Sequence, residues 1–201
     1  MKKAIHHLKK ADPIMAAIIE RVGPYTMQYR EPGFQTLVRS IVYQQLSGKA
    51  AATILKRLLE AAKADPITPE AILKLRPQKM RTLGLSQQKT AYIRELARMT
   101  RDGEIRFEGL HEMEDAEVVA HLTQVKGVGV WTVHMFLMFA LRRPNVLPVG
   151  DLGVRTAMKK AYELADLPKP AEMERIAAAW HPWCTVASWY LWRSLEGQAA
   201  L

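Results

Sequence analysis

The stretch Leu122-Thr123-Gln124-Val125-Lys126-Gly127-Val128-Gly129-Val130-Trp131-Thr132 decides the fold. Before it, residues 114–125 have the apolar spacing of a helix. After it, residues 130–142 carry Trp131, Val133, Met135, Phe136, Leu137, Met138, Phe139 and Leu141 and are apolar nearly all round, which places that helix at the centre of a core. Gly127 and Gly129 interrupt the pattern, so the segment reads as helix, Gly-x-Gly hairpin, helix. Glycine at both positions permits positive φ and a close backbone approach. The second helix starts with N–H groups that lack intrahelical partners, and a terminus of that kind binds phosphate without reading base sequence. A plain tight connection between helices has the same local sequence.

Working outward, helical spacing recurs and strand signals are poor, so the chain is expected to be all-α. Residues 13–22 give a first helix. Phe34, Leu37, Val38, Ile41 and Val42 form one stripe on a helix ending near Leu46, and Ser47 caps the next, to about Ala62. Thr68-Pro69-Glu70 starts a short helix and another follows Ser86, ended by Asp102-Gly103. Helices at about 152–165, 170–180 and 183–196 complete the chain.

The composition narrows the function classes. With 201 residues, 49% of them hydrophobic and 24% charged, the chain suits one globular unit or two small helical lobes. No apolar run spans a bilayer, and no secretory signal is evident in the first residues; no membrane partner is expected, and a cytoplasmic location is. Lysine and arginine total 29 against 20 acidic residues, a net charge of +9 that favours a polyanionic partner. One cysteine, Cys184, excludes a disulfide framework and a four-cysteine metal or iron-sulfur site. Of the six histidines, His6 and His7 read as a solvated terminus, and His134 and His181 as structural; they make no metal-ligand spacing.

A second motif adds to the hairpin. Leu147-Pro148-Val149-Gly150-Asp151-Leu152-Gly153-Val154-Arg155 places Asp151 22 residues beyond Gly129, with the apolar helix between. Hairpin, helix and Pro-x-Gly-Asp loop in this order resemble the signature of the helix-hairpin-helix (HhH-GPD) DNA glycosylase superfamily. The segments Ser40–Ala51 and Leu83–Lys89 are also similar to that family, and the resemblance covers Asp12 to Leu195. Within the superfamily the chain looks closest to the 3-methyladenine DNA glycosylase II branch, in a compact form without an N-terminal β domain.

The resemblance implies roles, residue by residue. Asp151 is the catalytic carboxylate, stabilising positive charge on the sugar and orienting water; from local sequence alone it reads sooner as a helix N-cap. Trp131 stands where strand-cutting members carry a Schiff-base lysine, which implies a monofunctional enzyme. Leu46 matches the wedge that fills the gap left by a rotated nucleotide, with Gln45 beside it to bond base edges or the opposite strand. Trp131 and Trp183 match the walls of the base pocket, where an aromatic face attracts a cationic alkylated purine. Met135 and Leu152 occupy pocket positions where some members have tyrosine, while Trp180, Trp189 and Trp192 read as core. Gly127, Gly129 and Thr132 are the phosphate-binding hairpin residues. The main-chain oxygens of Thr123, Val125 and Gly127 match a structural Na+ or K+ site, and no catalytic cofactor is implied.

Two lobes are expected. One spans about 30–110 and carries the wedge; the other spans about 111–201 plus the N-terminal helix and carries the hairpin and Asp151, with the cleft between them. The expected function is monofunctional release of 3-methyladenine, 7-methylguanine and similar bases from damaged duplex DNA, by a monomer, nucleoid-associated in a bacterium. The rival readings are a glycosylase for another damaged base and a non-catalytic DNA-binding module in which Asp151 is only a cap.

Overall fold

The computed structural model describes residues 1–196. Short polar side chains set where its helices begin. Asp12 Oδ1 accepts from the Ile14 and Met15 N–H groups, Ser47 Oγ from Ala50, Thr68 Oγ1 from Ala71 and Ser86 Oγ from Lys89. Each satisfies a donor that the first helical turn leaves orphaned. Proline at the first helical position, as at Pro13 and Pro69, supports the same starts.

The described residues hold twelve α-helices and no strand, as the expected all-α class requires. In order they are α1 (Lys2–Ala11), α2 (Pro13–Val22), α3 (Phe34–Tyr43), α4 (Gly48–Ala62), α5 (Pro69–Lys74), α6 (Pro77–Thr82), α7 (Gln87–Arg101), α8 (Asp115–Leu122), α9 (Val130–Phe139), α10 (Leu152–Ala161), α11 (Pro170–Ala177) and α12 (Cys184–Glu196). No helix is long and apolar enough to cross a membrane.

Several helices stop earlier than periodicity alone suggests. α3 ends at Tyr43 rather than near Leu46, because Gln45 turns to φ +54. α9 ends at Phe139, and the chain reverses where Arg142 takes φ +57. α11 continues past Ala177 as a 3₁₀ turn over Ala178–Trp180. Two further helices are not among those expected from the sequence. α1 buries only Ala4 and Leu8 beneath a lysine- and histidine-rich surface, and α6 buries only Met80. The N-terminus is therefore helical as well as solvated: His7 Nε2 lies 3.1 Å from the Ala179 carbonyl, while His6 is exposed.

The described residues form two units, residues 1–29 with 137–196, and residues 30–136. The division expected near residue 110 is thus misplaced, and the last five residues of the second expected lobe lie outside the described residues. The reason is packing around the hairpin: the Tyr92 ring sits on Gly127, His121 Nε2 accepts from the Arg106 N–H at 3.1 Å, and the Phe107 and Phe136 rings lie 6.2 Å apart. These contacts hold the hairpin within the unit of residues 30–136.

In the unit of residues 30–136, α7 packs against α3, α5 and α6. In the other, α12 packs against α2 and α10, and α1 lies along α2. The buried carboxylate of Asp12 fastens this second unit, since its Oδ2 accepts from Tyr162 at 2.5 Å and from the fully buried Trp180 Nε1 at 2.8 Å. A buried charge is tolerated when its oxygens are hydrogen-bonded in this way.

Candidate active site

Asp151 stands at the N-terminus of α10 and is 8% exposed. Its position is set from both sides. The main chain turns through Val149 N–H to Leu147 C=O and Asp151 N–H to Pro148 C=O, both 2.9 Å. Upstream, Thr185 in the first turn of α12 holds the approach to this turn: its N–H donates to the Pro144 carbonyl, its hydroxyl donates to the Arg143 carbonyl at 2.6 Å, and the same oxygen accepts from Val146 N–H at 3.0 Å.

Asp151 Oδ1 accepts from Val154 N–H at 2.8 Å, the expected cap, and also from Trp192 Nε1–H at 2.7 Å. The second bond was not legible in the sequence, where Trp192 reads as core. Trp192 is half-buried and stacks on Phe139 with centroids 5.9 Å apart and planes 18° from parallel. Gly153 admits the indole, because a Cβ there would lie 2.9 Å from Trp192 Cδ1 and 3.1 Å from Asp151 Oδ1. Glycine in a first helical turn has a helix-propensity cost; here it marks the close approach. Leu152, beside the carboxylate, is 63% exposed, and Trp183 is half-buried.

In the other unit, Gly127 takes φ +89, and its carbonyl accepts from Gln44 Nε2 at 2.9 Å. Gly129 is exposed and accepts from Val133 N–H, which opens α9. Trp131 is 43% exposed, although α9 otherwise buries Val133, Phe136, Leu137 and Met138; Met135, one turn further on, is half-buried. Thr132 is only 3% exposed, whereas Gly129, Val130, Trp131 and the cation Lys126 are exposed. Leu46 is 41% exposed, and Gln45 beside it is exposed too, so neither is a core residue.

For the cation expected at the hairpin, the oxygens of Thr123, Val125 and Gly127 are neutral donors of suitable kind. Val125 C=O accepts from Val128 N–H at 3.0 Å and Gly127 C=O from Gln44, and each carbonyl keeps a second lone pair. Among the described residues no group of three or more metal-ligating side chains occurs. Cys184 is buried and its thiol is pushed up to about 12 by burial, so it stays protonated at neutral pH.

The family model of the HhH-GPD superfamily of base excision DNA repair proteins matches residues 38–182. The chain belongs to this superfamily. A relative, DNA-3-methyladenine glycosylase 1 of Schizosaccharomyces pombe, is 32% identical over 200 residues, covering 96% of this chain and 87% of the relative. A solved S. pombe 3-methyladenine DNA glycosylase in complex with abasic DNA superposes with a TM-score of 0.84 at 32% identity, covering 95% of both chains. A DNA-3-methyladenine glycosidase from Bacillus halodurans superposes with a TM-score of 0.86 at 33% identity, over 98% of this chain and 90% of that one.

Proposed function

We propose that this chain is a monofunctional DNA-3-methyladenine glycosylase that hydrolyses the N-glycosidic bond of alkylated purines in duplex DNA. The observation that carries the reading is the Asp151 carboxylate, held by Trp192 and the α10 terminus inside a chain with the family's hairpin. As the bond from sugar C1′ to the base breaks, its electron pair goes to the base and positive charge develops on the sugar, which the carboxylate stabilises. Water oxygen then bonds to C1′ and gives up a proton to the carboxylate or solvent. The products are a free base and an abasic site.

A purine alkylated at N3 or N7 already carries positive charge and leaves as a neutral base, so the enzyme has little need of a general acid. Trp131 and Trp183 offer π faces to that charge. Met135 and Leu152 supply apolar surface where tyrosine would add a hydroxyl, which favours recognition by charge and shape over hydrogen bonding. Gly127 and Gly129 grip the phosphate backbone, Lys126 adds to the attraction, and Leu46 with Gln45 enters the stack. A Na+ or K+ held by the main-chain oxygens of Thr123, Val125 and Gly127 would supply further positive charge for phosphate at this turn. The net charge of +9 suits the same polyanion. We place the enzyme with the DNA in the cytoplasm, or the nucleoid of a bacterium, acting as a monomer.

Trp131 carries no amine to form a Schiff base. Duplex incubated with enzyme is therefore expected to stay uncut until alkali is added, with no protein–DNA adduct trapped by borohydride; an adduct, or strand scission before alkali, would show lyase activity. Trp192→Phe keeps the stack on Phe139 and removes the Nε1–H. The single-turnover rate of base release is expected to fall about 10-fold, the scale of one hydrogen bond to a charged group, with DNA affinity unchanged. An equal loss in affinity would mean that Trp192 supports binding rather than the carboxylate.

A further inference from the structure

Three side chains join the turn that carries Leu46 to the hairpin. Lys89, near the start of α7, is half-buried, and its ammonium donates to the Val42 carbonyl at 2.8 Å and to the Gln44 carbonyl at 2.6 Å. Those oxygens lie at the C-terminal end of α3, where a cation is favourable. Gln44, also half-buried, turns its side chain the other way and donates to Gly127 C=O at 2.9 Å. Tyr92, three residues after Lys89 and so on the same face of α7, lays its ring on Gly127: a Cβ there would lie 2.1 Å from Tyr92 Cδ2. Gln88 Nε2 holds the Tyr92 hydroxyl at 2.6 Å. Between these anchors the chain makes its left-handed turn at Gln45, which leaves Leu46 exposed.

We propose that Gln44, Lys89 and Tyr92 form a brace that fixes the Leu46 turn to the phosphate-gripping hairpin, so that Leu46 enters the stack from a position set by the hairpin's grip. This rests on the reading of Leu46 as the wedge of an alkylpurine glycosylase. An exposed leucine on a slack turn would spend part of its insertion energy on ordering the turn. With the brace, the turn is ordered beforehand and the contact with phosphate fixes where the leucine arrives. Gln44 and Lys89 are positioning residues, acting through Leu46.

The test is a double-mutant cycle on single-turnover release of 7-methylguanine from methylated duplex, with thermal unfolding of each variant followed in parallel. Leu46→Ala and Gln44→Ala are each expected to slow release about 10-fold, and the double variant to be within about twofold of Leu46→Ala alone, because coupled residues are not additive. Lys89→Met, which keeps the apolar stem and removes both bonds, is expected to behave as Gln44→Ala does, and it serves if Gln44→Ala does not fold. Multiplicative effects, near 100-fold in the double variant, would overturn the brace, as would a wild-type rate for both Gln44→Ala and Lys89→Met beside a slow Leu46→Ala. A wild-type rate for Leu46→Ala would remove the wedge reading and the brace with it. Absence of release by the wild-type protein would strike the glycosylase reading itself.

Discussion

Asp151→Asn is expected to release alkylated bases about 1000-fold more slowly than the wild type while keeping its fold, the scale of a lost preorganised electrostatic contact in a catalytic site. Both hydrogen bonds that Asp151 Oδ1 accepts, from Val154 N–H and Trp192 Nε1–H, can be accepted by an amide oxygen. Asparagine is also as good an N-cap as aspartate, so the stability change should stay within about 1 kcal/mol. The negative charge is removed while both Oδ1 bonds are kept. Asp151→Ala removes the cap as well and should lose about another 1 kcal/mol with no further loss of rate. Single-turnover base release and urea unfolding, measured on the same preparations, separate the roles. If Asp151→Asn kept its rate, Asp151 would be a structural cap.

Gly127→Ala is the second large effect and falls on stability. At φ +89 an L side chain is strained, at a cost of about 1–2 kcal/mol. The added Cβ would also sit 2.1 Å from Tyr92 Cδ2, and overpacking of that kind costs about 1–3 kcal/mol. Tyr92 has little freedom to retreat, because Gln88 holds its hydroxyl. Together the variant should lose about 2–5 kcal/mol in urea unfolding, roughly 5–15 °C in Tm for a chain of this size. Adding Tyr92→Ala removes the overlap but not the backbone strain, so the double variant should be less destabilised than the sum of the two single changes. Additive losses would mean that the ring does not obstruct this position.

Much of this was legible because the signals are local. Ser47, Thr68 and Ser86 marked helix starts through their own side-chain chemistry, and each cap bond is present. The Gly-x-Gly hairpin and Asp151 stood out because glycine and a lone aspartate interrupt long apolar stretches. Helix ends were harder, since Gln45, Arg142 and Glu163 take positive φ without the glycine that would announce it. Helix α1 was hidden because two buried residues, Ala4 and Leu8, suffice to seat it. What sequence could not show is which distant side chains meet. Trp192 lies on α12, a helix buried over most of its surface, and nothing local says that its N–H faces a carboxylate 41 residues earlier. The one available hint was Gly153, a costly residue in a first helical turn. The division into units was misread for a similar reason: the hairpin's allegiance is decided by Tyr92 and Gln44, 35 and 83 residues before Gly127.

The most direct measurement of the central claim is chromatography of the free bases that the purified wild-type protein releases from duplex DNA treated with a methylating agent. Release of 3-methyladenine and 7-methylguanine in time-dependent yield, leaving abasic sites in uncut strands, is the expected result. Strands that bind the protein yet keep every methylated base would contradict it, and the chain would then be a DNA-binding member of its superfamily rather than a glycosylase for these lesions.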